Sequence, residues 1–269
     1  MISPLAHIHK GAKLGTNVTV EPFAVIHDNT VIGDGTVIES HAVIMPGARI
    51  GKHCHIHPGA IIAGLPQDLK FAGEETTAEI GDNSVIREFA TINRGTKANW
   101  KTILGKSCLI MSYAHIGHDC ILGDHVILSG YCGLAGHVTI DDHAILEGYS
   151  AVQQFIHIGA HTFVAGGSKV RKNIPPYVKC AREPLSYIGV NSVGLTRRGF
   201  SAETIKQIED TYRILYVKGA SITTALKQIE AEIPASAEKD HIVKFIQASE
   251  NGIMRGPVRA KEVVTAEVK

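Results

Sequence analysis

Aliphatic side chains recur at every sixth position through two thirds of the chain. From Ile2 they fall at Ile8, Leu14, Val20, Ile26, Ile32, Ile38, Ile44, Ile50, Ile56 and Ile62. The phase returns at Ile80, Ile86 and Ile92, and again from Leu104 through Ile116, Leu122, Leu134, Val152 and Val164 to Val170. Two residues before most of them stands a small side chain, as at Ala24, Ala42, Ala60, Ala90, Ala114 and Ala144. A helix repeats every ~3.6 residues and an ordinary strand every ~2. A period of six fits neither alone. It fits a short strand plus a tight turn, with one large and one small residue pointing inward. Three such hexapeptides close a triangular coil, and coils stack at about the strand spacing of ~4.8 Å. The pattern predicts a mainly β fold, a parallel β-helix of hexapeptide repeats.

The phase breaks twice, at residues 64–77 and 95–101, which read as loops thrown out of a regular stack. Asn173-Ile174-Pro175-Pro176-Tyr177 predicts the end of the solenoid, because proline cannot donate to a strand ladder. The β-helix is therefore assigned to residues 1–178. Residues 179–256 read as a linker and a small α-helical C-terminal domain. Ser201 caps a first helix with Phe200 stapled to Ile205, and Gly219 closes it. Ile222, Leu226, Ile229 and Ile233 mark a second helix, and Ile242, Phe245 and Ile246 a third. The tail, 257–269, reads as disordered.

Charge removes several function classes. Lys+Arg is 27 and Asp+Glu 26, so no global field draws the chain to nucleic acid or an anionic membrane. No stretch approaches the ~18 apolar residues of a membrane span, and the first residues lack a signal-peptide pattern. A cytoplasmic protein is expected. Cys54, Cys108, Cys120 and Cys132 occupy the small inward position, which predicts buried hydrophobes rather than ligands or nucleophiles. His53, His55 and His57 alternate like a metal motif, but no carboxylate is evident beside them in the sequence.

Residues eighteen apart share a face of adjacent coils. His118, Gly136 and Gln154 then form one column, and Asp119, His137 and Phe155 the next. His115 lies three residues before His118, across the same edge. His118 falls at a turn, where side chains are expected to point outward. The cluster offers a general base (His118), a carboxylate to orient it (Asp119) and a backbone N–H donor at Gly136.

The run Tyr113-Ala114-His115-Ile116-Gly117-His118-Asp119-Cys120, then Leu134-Ala135-Gly136-His137-Val138, resembles the UDP-N-acetylglucosamine acyltransferases of lipid A biosynthesis. Gln67-Asp68-Leu69-Lys70 and Gly194-Leu195-Thr196-Arg197-Arg198-Gly199-Phe200 resemble the same family, over residues 1 to about 255. The resemblance implies a left-handed β-helix and a homotrimer with active sites between subunits. It implies transfer of an (R)-3-hydroxyacyl group from acyl carrier protein to the 3-hydroxyl of UDP-N-acetylglucosamine, without cofactor or metal. It makes His118 the base, Asp119 its partner and Gly136 the oxyanion donor. Gln67, Asp68, Lys70, His115, His137 and Gln154 match substrate-binding positions. Asn191, Arg197 and Arg198 match nucleotide contacts, and Gly166 the position that limits acyl length. Two departures stand out. Gln153 precedes Gln154 where the family often has histidine, and Val193 replaces an acidic residue. A 3-amino sugar nucleotide remains an alternative acceptor. Lys169, Arg171, Lys172, Lys179 and Arg182 form a basic group suited to an acidic carrier protein.

A rival reading keeps the solenoid but makes it a zinc lyase or hydrolase of the γ-carbonic-anhydrase type, with His115, His118 and His137 as ligands. A purely structural solenoid is the third; it leaves both loop excursions unexplained.

Overall fold

The computed structural model describes residues 1–218 and 221–257. All of the expected disordered tail except Pro257 lies outside the described residues, as does Gly219.

Most strands are two residues long, and they stack into three sheets of nine, eight and ten strands, parallel except for the last strand of the third, that form the faces of a prism. The first face runs from His7–Ile8 to Lys169–Val170, and the second from Lys13–Leu14 to His157–Ile158. The third begins at Thr19–Val20. The chain thus forms a left-handed parallel β-helix with a small helical C-terminal part. Pairing keeps the hexapeptide phase: Val25 opposes Val43, and His115 opposes Gly133. The register survives both excursions, with Ile61 opposite Thr91 and Thr91 opposite His115. The inward residues Ile26, Ile44 and Ile62 of the first face and Ile38, Ile56 and Ile86 of the third are wholly buried, and so are the small residues Ala24, Ala42 and Ala60. All five cysteines are free and buried, with Cys120 and Cys108 pushed up to about 12 by burial.

Three residues after most of the aliphatics the backbone turns through the left-handed region, where non-glycine residues are uncommon. Asn17, Asn29 and Asn83 suit such a position. Phe89, Tyr113, Tyr131 and Tyr149 do not, yet all have φ between 58° and 62°. Each sits above the equivalent residue of the coil below, so the rings stack, with centroids 5.2, 5.0 and 5.0 Å apart. His125, His143 and His161 form a second ladder at 4.6 and 4.8 Å. Stacking between coils offsets a local preference that each residue violates alone.

The first excursion leaves between strands Ile61–Gly64 and Thr77–Ile80, and the second between Thr91–Asn93 and Lys101–Leu104. Prolines 175 and 176 occupy a turn rather than a strand. Parallel pairing then continues, with Val178–Ala181 on Phe163–Val164, before Ser186–Val190 returns antiparallel. Helices follow: α1 (Ser192–Arg197), α2 (Ala202–Tyr216), α3 (Ile222–Glu232) and α4 (Ala237–Gln247). The short α1 has no counterpart in the periodicity reading. Ser201, Ser221 and Ser236 cap the last three, each accepting from a backbone N–H three residues on. Tyr212, fully buried on α2, donates to the Pro176 carbonyl at 2.6 Å and ties helix to solenoid.

Candidate active site

The second excursion folds over the turn that follows His115–Ile116. There Asp119 takes the left-handed conformation, at φ 60°, and keeps 1% of its surface. Its carboxylate accepts from the Thr96 N–H at 2.9 Å, the Thr96 hydroxyl at 2.7 Å and the Asn99 N–H at 3.1 Å. The Thr102 hydroxyl accepts from the Asp119 N–H at 2.9 Å. Burial alone would raise this carboxyl, but the hydrogen bonds from His118, Thr96 and Asn99 outweigh it and hold the group below its ordinary range.

An ionised Asp119 can only accept, so it fixes the tautomer of its neighbour. His118 Nδ1 lies 2.8 Å from Asp119 Oδ2 and must carry the proton, leaving the Nε2 lone pair free. His118 is 4% exposed, against the expectation of an outward turn residue. At the equivalent turn position of other coils, Lys52 and Lys106 are exposed. The difference is that the His118 ring is enclosed by Asp119, by the edge of His137 at 5.1 Å, and by Gly136 one coil above. A Cβ on Gly136 would stand 2.5 Å from His118 Cε1 and 2.6 Å from Nε2, so only glycine fits over the ring. The Gly136 N–H makes no hydrogen bond among the described residues.

These groups open onto a cavity of about 350 Å³ lined by Gln67, Asn93, His115, His118, Gly136 and Gln154, with apolar walls from Leu134, Ala151 and Val152. The structure therefore brings together Gln67, His115, His118, Gly136 and Gln154. His115 Nδ1 is bound to the Thr91 hydroxyl at 2.8 Å, and burial pushes its pKa down. His137 stacks on Phe155 at 4.6 Å, with Nε2 3.8 Å from Asp119 Oδ2. Burial lowers His137, against the pull of the Asp119 and Asp68 charges. Asp68 accepts from the Lys70 N–H at 3.0 Å within the first excursion, and the Lys70 side chain is exposed.

Asn191 and Arg197 lie elsewhere, around a separate cavity of about 250 Å³ with Ile145, Phe163 and Lys179. Asn191 donates to the His161 carbonyl at 2.9 Å. Arg198 donates to the His143 carbonyl at 3.2 Å and has a buried Nη1 without a partner. Gly166 is exposed, on the edge where the third face turns into the first, and its N–H donates to Glu147 at 3.2 Å. The basic group is divided. Lys169 and Arg171 pair with Glu183, and Lys172 donates to the Asn251 carbonyl. Lys179 lines the Asn191 cavity instead.

Sequence reasoning missed Thr96, Asn99 and Thr102, which hold Asp119, and Asn93, which donates to the Leu65 carbonyl and joins the two excursions. The signal was the break in phase at 95–101, one coil before Asp119. As for the imagined three-histidine zinc site, the metal-like group at this turn is His118, Asp119 and His137, without His115.

A parallel hexapeptide solenoid with a buried His–Asp pair at an apolar-walled cavity defines the class of hexapeptide-repeat transferases. Residues 29–64 and 101–136 match the family described as bacterial transferase hexapeptide (six repeats). Residues 173–254 match that described as UDP N-acetylglucosamine O-acyltransferase, domain 2. The chain is 55% identical over 252 residues to the acyl-[acyl-carrier-protein]–UDP-N-acetylglucosamine O-acyltransferase of Chlorobaculum parvum, covering 93% of this chain and 96% of that protein. It is 51% identical to the enzyme of that name from Sulfurihydrogenibium, covering 99% of this chain and 98% of that protein. The solved UDP-N-acetylglucosamine acyltransferase of Bacteroides fragilis superposes with a TM-score of 0.94 at 49% identity, covering 95% of this chain and all (100%) of that one. The chain belongs to the UDP-N-acetylglucosamine O-acyltransferase family. No helix among the described residues is long and apolar enough to cross a membrane.

Proposed function

We propose that this protein transfers an (R)-3-hydroxyacyl chain from acyl carrier protein to the 3-hydroxyl of UDP-N-acetylglucosamine, the first step of lipid A biosynthesis. The observation that carries the reading is the buried His118–Asp119 pair, with Nδ1 committed to the carboxylate and Nε2 left free at a cavity. Nε2 takes the proton of the sugar hydroxyl as its oxygen attacks the thioester carbonyl. The Gly136 N–H stabilises the oxyanion that forms. Collapse breaks the carbon–sulfur bond, and the departing thiolate takes the proton from His118. Gln67, Asp68, Lys70, His115, His137 and Gln154 hold the acceptor around this centre. Asn191, Arg197 and Arg198 receive the nucleotide, the arginines suiting a diphosphate.

The nucleotide residues and the base line different cavities of one chain. That separation supports a homotrimer in which one subunit offers the base and its neighbour the nucleotide contacts. Leu69, wholly exposed at 106% on the first excursion, supports it as a surface for a second copy. Sedimentation should give three chains; a monomer at micromolar concentration contradicts it. The carrier protein is assigned to Lys169, Arg171 and Lys172, joined by Arg255 around a cavity of about 280 Å³. Charge reversal at Arg171 should raise the carrier KM and flatten its salt dependence. The reaction itself is tested with UDP-N-acetylglucosamine and hydroxyacyl carrier proteins of several lengths, read by mass spectrometry. A single acyl increment on the sugar nucleotide is expected, and no product at any length overturns the reading.

A further inference from the structure

A second group of histidines converges on the edge where the third face turns into the first. The His118 turn joins the first face to the second, so the two groups lie on different edges. Glu39 stands eighteen residues before His57, directly below it in the stack. Glu39 Oε1 lies 2.5 Å from His55 Nε2, and Oε2 lies 3.4 Å from His57 Nδ1. The two imidazoles stack with centroids 4.2 Å apart and planes 17° from parallel. One donor atom from each of the three residues lies within 4.8 Å of the others. The carboxylate missing from the sequence reading of His53, His55 and His57 is supplied by the coil below; His53 takes no part in the group.

The two stacked rings and the one carboxylate between them turn their donor atoms towards a common point. The neighbouring Arg87 opposes a cation, but it is engaged by Glu88 at 3.0 and 2.9 Å. Glu88, also held by Ser112 at 2.7 Å, presents its Oε1 3.7 Å from His57 Nδ1. The side chains of His55, His57 and Glu39 are 40%, 16% and 22% exposed, so an ion can enter and keep a water. Two imidazoles and one carboxylate form the borderline donor set that zinc and its neighbours favour, rather than calcium or magnesium.

We propose that Glu39, His55 and His57 form a divalent transition-metal site, best matched to zinc, that clamps two successive coils of the solenoid. Water or Glu88 completes the coordination. The ion is structural: its ligands come from different coils and none lines the His118 cavity.

The test uses the full-length protein stripped with chelator and titrated with zinc chloride in competition with a chromophoric chelator. One zinc per chain should bind at micromolar free zinc or tighter, and the thermal midpoint should rise with zinc. Glu39→Gln, which keeps shape and hydrogen bonding, and His57→Ala should each weaken binding at least about tenfold. His118→Ala should bind zinc unchanged. Cobalt in place of zinc should give visible bands in the native protein and lose them in Glu39→Gln. Three results overturn the proposal: no zinc retained at micromolar free metal, affinity unchanged in Glu39→Gln, or binding lost in His118→Ala. Binding, not acyl transfer, is the readout, so the outcome is independent of the catalytic assignment.

Discussion

The proposed chemistry rests on single atoms at the His118 turn. Nδ1 is committed to Asp119 and Nε2 faces the cavity, so removal of the imidazole removes the proposed base and leaves the turn intact. His118→Ala should retain its thermal midpoint and circular dichroism while kcat/KM falls by ~10²–10⁴-fold. Full activity in a folded variant ends the assignment. Thr96 acts one step further out. Its hydroxyl and N–H both reach Asp119 and neither touches the cavity, so it is a positioning residue. Thr96→Val keeps the backbone donor and loses the hydroxyl. The Asp119 carboxylate is then less firmly held, the His118 ring is less well oriented, and kcat should fall while KM stays near the parent value. Thr96→Ser should restore kcat. A merely structural role for Thr96 predicts instead a lower melting temperature with kcat unmoved in the folded enzyme.

At the scale of elements, the stacked turn residues couple the solenoid to pH. His161 lies between His143 and the ring of Tyr177 and has a buried Nδ1 without a partner. Burial, aided by the charges of His143, Arg198 and His241, lowers its pKa to about 4. The unfolded chain therefore binds a proton between ~6.5 and that value while the folded chain does not. Stability conferred by the neutral ring is full above ~6.5 and is lost as pH falls towards 4. His161→Phe removes the titration, and phenylalanine already occupies the same left-handed turn position at Phe23, Phe89 and Phe155. Melts from pH 7 to 4 should fall less steeply for this variant than for the parent; parallel curves would show that His161 does not report. The same repeats explain what the sequence could reveal. Periodicity exposes the inward aliphatics, the coil columns and the capped helices, because each is a local or eighteen-residue rule. It placed Gly136 over His118 and Asp119 under His137. It could not place Thr96 or Asn99, since a loop without a phase has no address on the prism. It also pointed His118 outward without showing its burial, because burial there comes from neighbouring coils and not from the repeat. The Pro175-Pro176 pair suggested the end of strand pairing, yet both prolines sit in a turn, where a missing N–H costs nothing to the ladder.

The whole molecule sets how far the acyl chain can reach. From His118 the first face presents Gly133 and Ala151 outward, an open strip of small residues that also lines the His118 cavity. The strip ends at the next edge, where Gly130, Gly148 and Gly166 stack in one column. An acyl tail anchored at His118 and laid across this face would run towards that column. Gly166 puts no side chain in its way, so a long donor is expected. Each buried methylene is worth about 0.8 kcal/mol, and about 1.4 kcal/mol gives tenfold discrimination. Gly166→Met should fill the slot and move the preference towards donors a few carbons shorter, with His118 chemistry intact on those donors. The new Cβ would stand 3.2 Å from the Gly148 carbonyl oxygen, so a small loss of thermal stability accompanies the change. The ratio of kcat/KM between long and short hydroxyacyl carrier proteins separates the two effects, because general destabilisation lowers both alike. An unchanged ratio in a folded Gly166→Met enzyme would mean that the tail ends elsewhere on the solenoid.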